Sequence, residues 1–249
     1  MKGIILAGDS GTGLQPLTLG VPKQLLPLFN KPMVYYPLEV MVKSGIEEIL
    51  IITTIECQNA FYRALGDGSS FGVRLSYACQ EQPEGIAQAI MIGQDFIGND
   101  SVCLMTGDTI IFGESLLNNL DKSFKAAEKS GNATIFVDND YDPQQYGVVV
   151  LGKNGKAKEI SGKSEKTNYY YSITGLYVFP NSVLVHIFDI EKSERNRYEI
   201  TSVSKVFHDN NKLQIQKLPS DCKWLSTNTF EELLESSKYI KSHNDKKLT

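Results

Sequence analysis

The chain opens with a short apolar run, Gly3 to Ala7, that passes directly into a glycine-rich turn, GDSGTGLQP (residues 8–16). A strand feeding such a turn presents successive backbone N–H groups with few side chains in the way. That is how a protein wraps the phosphates of a nucleotide. The pattern restricts the fold to a sheet whose strands open, at their carboxyl ends, onto a ligand. The turn is unusual in its charge. Asp9 stands where an anion would sit, and no cation occurs between Lys2 and Lys23.

Further along, short apolar runs alternate with helical patterns. Strands are expected at Ile49–Thr53, Val73–Ala78, Val102–Met105 and Ala133–Val137, and helices at Gln58–Leu65, Gly85–Asp95 and Ser115–Ser130. This rhythm predicts an α/β fold, a doubly wound and mostly parallel sheet with helices on both faces. The second half changes character. Tyr146–Leu151 and Lys156–Ile160 flank a Lys-Asn-Gly turn, a hairpin pattern. Ile173–Phe179 and Leu213–Leu218 read as strands, Glu199–Asp209 and Phe230–Ser242 as helices. A smaller β lobe suited to a sugar is expected beside the nucleotide-binding sheet. One domain is expected over 1–242: a nucleotide-binding half (1–140), a sugar-binding half (141–229) and a closing helix (230–242). A frayed tail (243–249) follows.

With a net charge of −4, the chain is a poor partner for nucleic acid. No apolar run approaches the ~20 residues that span a bilayer, and strand one starts at once, so neither a membrane segment nor a signal peptide is expected. Cys57, Cys79, Cys103 and Cys222 are far apart without a C-x-x-C pair, which suits free thiols in a cytoplasmic protein. His186, His208 and His243 have no metal-ligand spacing. The run Tyr169-Tyr170-Tyr171 is either an exposed partner surface or a lobe strand with buried rings.

Nine segments, KGIILAG, PLTLGVPKQLLPL, KPMVYYPLEVM, GIEEILIITT, LGDGSSFGVRLSYA, EGIAQA, DFIGNDSV, QQYGVVV and ITGLYVF, resemble the sugar-1-phosphate nucleotidyltransferases. The resemblance is closest to the glucose-1-phosphate thymidylyltransferases and runs from Met1 to about Ile240. It implies a Rossmann-like fold. It also implies a reaction in which a sugar-1-phosphate oxygen attacks the α-phosphorus of a nucleoside triphosphate and pyrophosphate leaves, with Mg²⁺ bound. Such a reaction needs cations aimed at phosphates, a carboxylate for metal and a glycine turn that admits the triphosphate. By this resemblance Gly8, Ser10, Gly11 and Thr12 cradle the nucleotide. Lys23 contacts phosphate, unless it is a solvated surface lysine. Gln80 and Gly85 read the base edge, unless they form an ordinary loop. Asp108 holds metal, or else serves an N-cap or Asx-turn. Tyr146, Gly147, Thr109 and Lys163 face the sugar phosphate, with plain strand packing the alternative for the Tyr-Gly pair.

The departures from the family pattern fall on ligand-facing positions. Asp9 replaces a glycine and Gly13 an arginine. Thr109 replaces an asparagine, Gly162 a glutamate and Ser226 the second metal aspartate. Asn196-Arg197-Tyr198-Glu199-Ile200-Thr201-Ser202 stands for G-E-L-E-I-T-D, keeping Glu199 and losing two acids. An arginine of this kind contributes about 10³–10⁵ in rate to phosphoryl transfer. The favoured expectation is therefore a silent or severely impaired member that binds nucleotide, nucleotide sugar or an active paralogue in surface-glycan synthesis. Two alternatives stand beside it: an active Mg²⁺-dependent enzyme with Asp9 recruited to the metal, and an interaction protein that binds no nucleotide. Long-form members carry further helices beyond this point, so their regulatory site is not expected here. A homo-oligomer would use other surfaces.

Overall fold

The computed structural model describes residues 1–139, 145–152, 155–163 and 170–247. In chain order the first half holds β1 (Lys2–Leu6), β2 (Pro27–Leu28), β3 (Lys31–Pro32), α1 (Tyr35–Lys43), β4 (Glu48–Thr53), α2 (Gln58–Leu65), β5 (Arg74–Cys79), α3 (Gln88–Ile92), α4 (Gln94–Ile97), β6 (Val102–Thr106), β7 (Ile110–Phe112), α5 (Ser115–Ser130) and β8 (Ala133–Asp138). The second half adds β9 (Val148–Leu151), β10 (Ala157–Ser161), β11 (Tyr171–Phe179), α6 (Val183–His186), α7 (Ile200–Asp209), β12 (Leu213–Lys217), β13 (Lys223–Leu225) and α8 (Phe230–Lys247).

The spine of the main sheet runs β12–β8–β11–β6–β1–β4–β5. β1 is parallel to β4 and β6, β4 to β5, and β12 to β8, while β11 enters antiparallel between β6 and β8. β9 joins the start of β11 at Tyr171 and Ser172 and carries β10 on its other edge. The α/β, mostly parallel sheet expected from the alternation is thus present, with the antiparallel additions in the second half.

The central strands are apolar on both faces because both faces are covered. Ile5, Ile49, Ile51 and Met105 pack with Leu38 and Met41 of α1, Phe61 of α2 and Leu116 and Leu120 of α5. Their neighbours Ile4, Leu50, Ile52 and Leu104 turn to the other face, against Ala89 and Ile90 of α3 and Val203 and Phe207 of α7. A third cluster, Leu28, Met33, Tyr36, Ile110, Leu225 and Ile240, seats α8.

Several predicted boundaries shift. The helix expected over 85–95 is two pieces, α3 and α4, divided at Gly93, where a methyl group would come 2.6 Å from Ile4 Cδ1 on β1. The strand expected from Tyr146 begins at Val148. The closing helix passes Ser242 and continues to Lys247, so the expected frayed tail is helical up to that point. Lys153 and Asn154 of the expected turn lie outside the described residues, though the hairpin pairing of β9 with β10 is present. Of the tyrosine run, Tyr169 lies outside the described residues and Tyr171 begins β11. Among the described residues no helix is long and apolar enough to cross a membrane.

Candidate functional site

The glycine turn after β1, the ends of β6 and β11, and the segment after β13 surround a cleft of about 1130 Å³. A cleft of this size accommodates more than one small-molecule fragment. The turn is ordered by its own groups. Gly11 N–H donates to Asp9 Oδ1 at 3.3 Å, and Thr18 Oγ1 donates to the Gly11 carbonyl at 2.7 Å. Leu14 anchors the short helical turn Thr12–Leu14 by complete burial.

Lys23 is not a solvated surface lysine: only 2% of it is exposed. Its Nζ donates to Asp108 Oδ2 at 2.6 Å and to Asn228 Oδ1 at 2.8 Å, and lies 3.9 Å from Asp9 Oδ2. Asp9 therefore turns toward the lysine, with one oxygen on the loop backbone and the other facing the ammonium. Burial acts against charge on both central partners. For Lys23 it is outweighed by the Asp108 carboxylate, with help from Asp9, and the ammonium is held above a lysine's ordinary value. For Asp108 burial is likewise outweighed by Lys23, and the carboxyl is held below the ordinary carboxylate range.

Gln80, also buried, donates through Nε2 to Gln88 Oε1 at 2.5 Å and lies 3.4 Å from the Gly85 carbonyl. Gly85 has φ +118°, and a methyl there would meet the Tyr198 carbonyl at 2.4 Å. Only glycine lets these two loops close on each other. A methyl on Gly8 would come 2.7 Å from Gln80 Oε1, so the glycine turn and the Gln80 loop share one wall.

Thr109 is a buried wall residue. Its hydroxyl donates to the Thr174 carbonyl at 3.0 Å and lies 2.7 Å from Thr106 Oγ1. Tyr146 shares a 2.7 Å hydrogen bond with Ser226 Oγ, and its ring meets Trp224 edge-on at 4.6 Å. Gly147 and Lys163 line the same cleft, together with Gly162, Arg195 and Arg197. Arg195 Nη2 donates to Glu199 Oε1 at 2.8 Å. Ser164, at the end of the Ser161–Ser164 segment, lies outside the described residues.

Two features of the site were not read from the sequence. Arg195 brings a further cation to the cleft, its Nη2 3.4 Å from where a methyl on Gly162 would lie. Asn228 reaches the lysine from across the cleft and seats its carbonyl on the turn: a methyl at Gly13 would come 2.3 Å from Asn228 O. One local pattern was available for the latter. Thr229 and Glu232 form a capping box at the start of α8, with Glu232 N–H donating to Thr229 Oγ1 and the Asn228 and Thr229 N–H groups donating to Glu232 Oε2.

Among the described residues no group of three His, Cys, Asp or Glu side chains is placed to hold a metal ion. Asp108 and Asp9 are, among the described residues, the carboxylates within 4.0 Å of Lys23 Nζ. Magnesium is commonly held by one or two carboxylates together with substrate phosphates and waters. The pair fits an ion completed by a triphosphate, and does not form a cage of protein oxygens.

The family described as "Nucleotidyl transferase" matches residues 2–243. Glucose-1-phosphate thymidylyltransferases from Mycolicibacterium smegmatis and Neisseria meningitidis are 45% and 42% identical to the chain, over 97% of its length and 83% of theirs. A crystal structure of a Bacillus anthracis protein assigned as a glucose-1-phosphate thymidylyltransferase, in complex with a sucrose, superposes with a TM-score of 0.87 at 30% identity. It covers 96% of this chain and 94% of its own. A UDP-glucose pyrophosphorylase complexed with UDP-glucose shares the fold, with a TM-score of 0.83 at 19% identity, covering 97% and 98%.

Proposed function

The chain belongs to the nucleotidyl transferase family, and from that premise we propose that its cleft binds a nucleoside triphosphate or nucleotide sugar while transferring nucleotide slowly or not at all. The carrying observation is the state of the loop's cation. Lys23 already donates to Asp108 and Asn228, and Asp9 adds a negative charge at its side. A phosphate arriving there meets a neutralised lysine. Transfer without a protein nucleophile depends on positioning and on charge stabilisation as pyrophosphate departs. The turn, with Gly13 flush against Asn228, supplies no second cation for that charge.

In this reading Gly8, Ser10, Gly11 and Thr12 receive the phosphates, and Gln80 and Gly85 face the base. Tyr146, Gly147 and Lys163 receive the sugar phosphate, with Arg195 supplying further positive charge. Thr109 supports that wall from behind. The halves expected at 1–140 and 141–229 then serve nucleotide and sugar respectively, in a cytoplasmic protein. A magnesium ion, when bound, would be held by Asp108 and Asp9 and would neutralise phosphate charge.

A second reading, an active enzyme with a rearranged site, draws support from the two carboxylates flanking Lys23. Pyrophosphate release with dTTP or UTP, glucose-1-phosphate and Mg²⁺ separates the two. Turnover near the ~10 s⁻¹ typical of enzymes would overturn the first reading. Binding is measured by thermal shift: ligand at 100 times its Kd should add ~2.7 kcal/mol of stability. No stabilisation by any nucleotide would leave a protein that acts by interaction alone.

A further inference from the structure

We infer that Asn228 is a positioning residue that sets the cleft's affinity for phosphate by competing for Lys23. The inference rests on the nucleotide-binding reading above. An ammonium has three hydrogens to donate. One goes to Asp108 at 2.6 Å and one to Asn228 Oδ1 at 2.8 Å. The third faces the side of Asp9, too distant at 3.9 Å for a hydrogen bond. An incoming phosphate oxygen must either share that acidic side or displace a partner. Asp108 is charged and is the shorter contact; the amide is neutral and is the one that yields.

The amide is fixed in the competing orientation. Its Nδ2 donates to Tyr146 Oη at 2.8 Å and to Gln145 Oε1 at 3.0 Å, so Oδ1 must be the atom that faces the ammonium. Its backbone N–H donates to Glu232 Oε2 at 2.7 Å, and its carbonyl sits against Gly13. One residue thus ties the glycine turn, the Tyr146 loop and the head of α8 together while its Oδ1 occupies the cation a phosphate needs. A purely structural asparagine would change stability without favouring phosphate over any other part of the ligand.

Calorimetric titration of wild type, Asn228→Ala and Asn228→Asp with dTTP, thymidine and inorganic pyrophosphate tests this. Asn228→Ala should bind dTTP and pyrophosphate about fivefold or more tighter, with thymidine unchanged, because a hydrogen bond to a charged donor no longer has to be exchanged. Asn228→Asp, nearly isosteric but charged, should weaken both phosphate ligands. If Asn228→Ala fails to fold, Asn228→Ser carries the same expectation, since its hydroxyl is too short to reach Lys23. An unchanged or lowered preference for dTTP over thymidine in the alanine or serine variant overturns the inference. Pyrophosphate distinguishes the two failures. If thymidine and dTTP bind nothing while pyrophosphate still tightens on Asn228→Ala, the nucleotide reading falls and the role of Asn228 stands. If neither dTTP nor pyrophosphate binds any of the proteins, both fall.

Discussion

At the scale of single residues the site is decided by which charges are already satisfied. Gly13 is fitted to its neighbour: a β-carbon there would lie 2.3 Å from the Asn228 carbonyl oxygen. Gly13→Arg alone should therefore destabilise the fold, by about 1–3 kcal/mol as for other overpacked sites, and should not raise pyrophosphate release above that of wild type. A melting curve unchanged from wild type together with raised turnover would show that the turn moves freely away from Asn228. Asp9 acts in the opposite sense to Lys23. Its side chain is 57% exposed, so solvent screens it, and Asp9→Asn should tighten dTTP only several-fold, with a smaller gain at high salt. A gain that survives high ionic strength would assign the effect to shape instead of charge.

At the scale of elements, the doubly buried strands were legible because their code is local. ILIIT and its equivalents are apolar on both faces, and the helices between them repeat at the right period. The β7–β13 pairing, Ile110–Phe112 against Lys223–Leu225, was not legible, since neither run is long and the partners are more than a hundred residues apart in sequence. The same holds for Asn228: its polar side chain is ordinary in sequence, and its meaning comes from three segments meeting around it. His208 on α7 illustrates a legible helix carrying a contact that only the fold reveals. Its Nε2 lies 2.9 Å from the Ala157 carbonyl of β10 and its Nδ1 3.0 Å from Asp209 Oδ1. Two acceptors favour the doubly protonated ring, and the hydrogen bond it donates to the Asp209 carboxylate, then the one to the Ala157 carbonyl, raise its pKa above the ordinary value. A raised folded value stabilises the protein fully below the unfolded pKa of about 6.5, and the gain fades as pH climbs through the folded value. Wild type should lose melting temperature relative to His208→Gln between pH 6 and pH 8. Parallel pH profiles would remove His208 as the cause.

At the scale of the whole molecule, the segment after β13 that lines the cleft leads straight into α8, which packs on the region of Leu28, Met33 and Tyr36. α8 seats Ile240, 1% exposed, among Leu28, Met33, Tyr36, Ile110 and Leu225, beneath the segment that carries Ser226 and Asn228. The Ser236 hydroxyl donates to the Ser226 carbonyl at 2.7 Å, and the Thr229–Glu232 box fixes the helix head. The seat of α8 should therefore set the geometry of the cleft as well as global stability. Ile215 offers a control: it is a half-buried isoleucine on β12, the strand paired to β8 and belonging to the core on the other face. Ile240→Ala removes a fully buried side chain and should cost about 2–5 kcal/mol, with Ile215→Ala costing less because its site is partly open. Only Ile240→Ala should also change dTTP affinity, because only it loosens the support under Asn228 and, through Asn228, the hold on Lys23. Equal effects of the two variants on dTTP binding, measured where both remain folded, would mean that the cleft responds to stability alone and that α8 has no special claim on it.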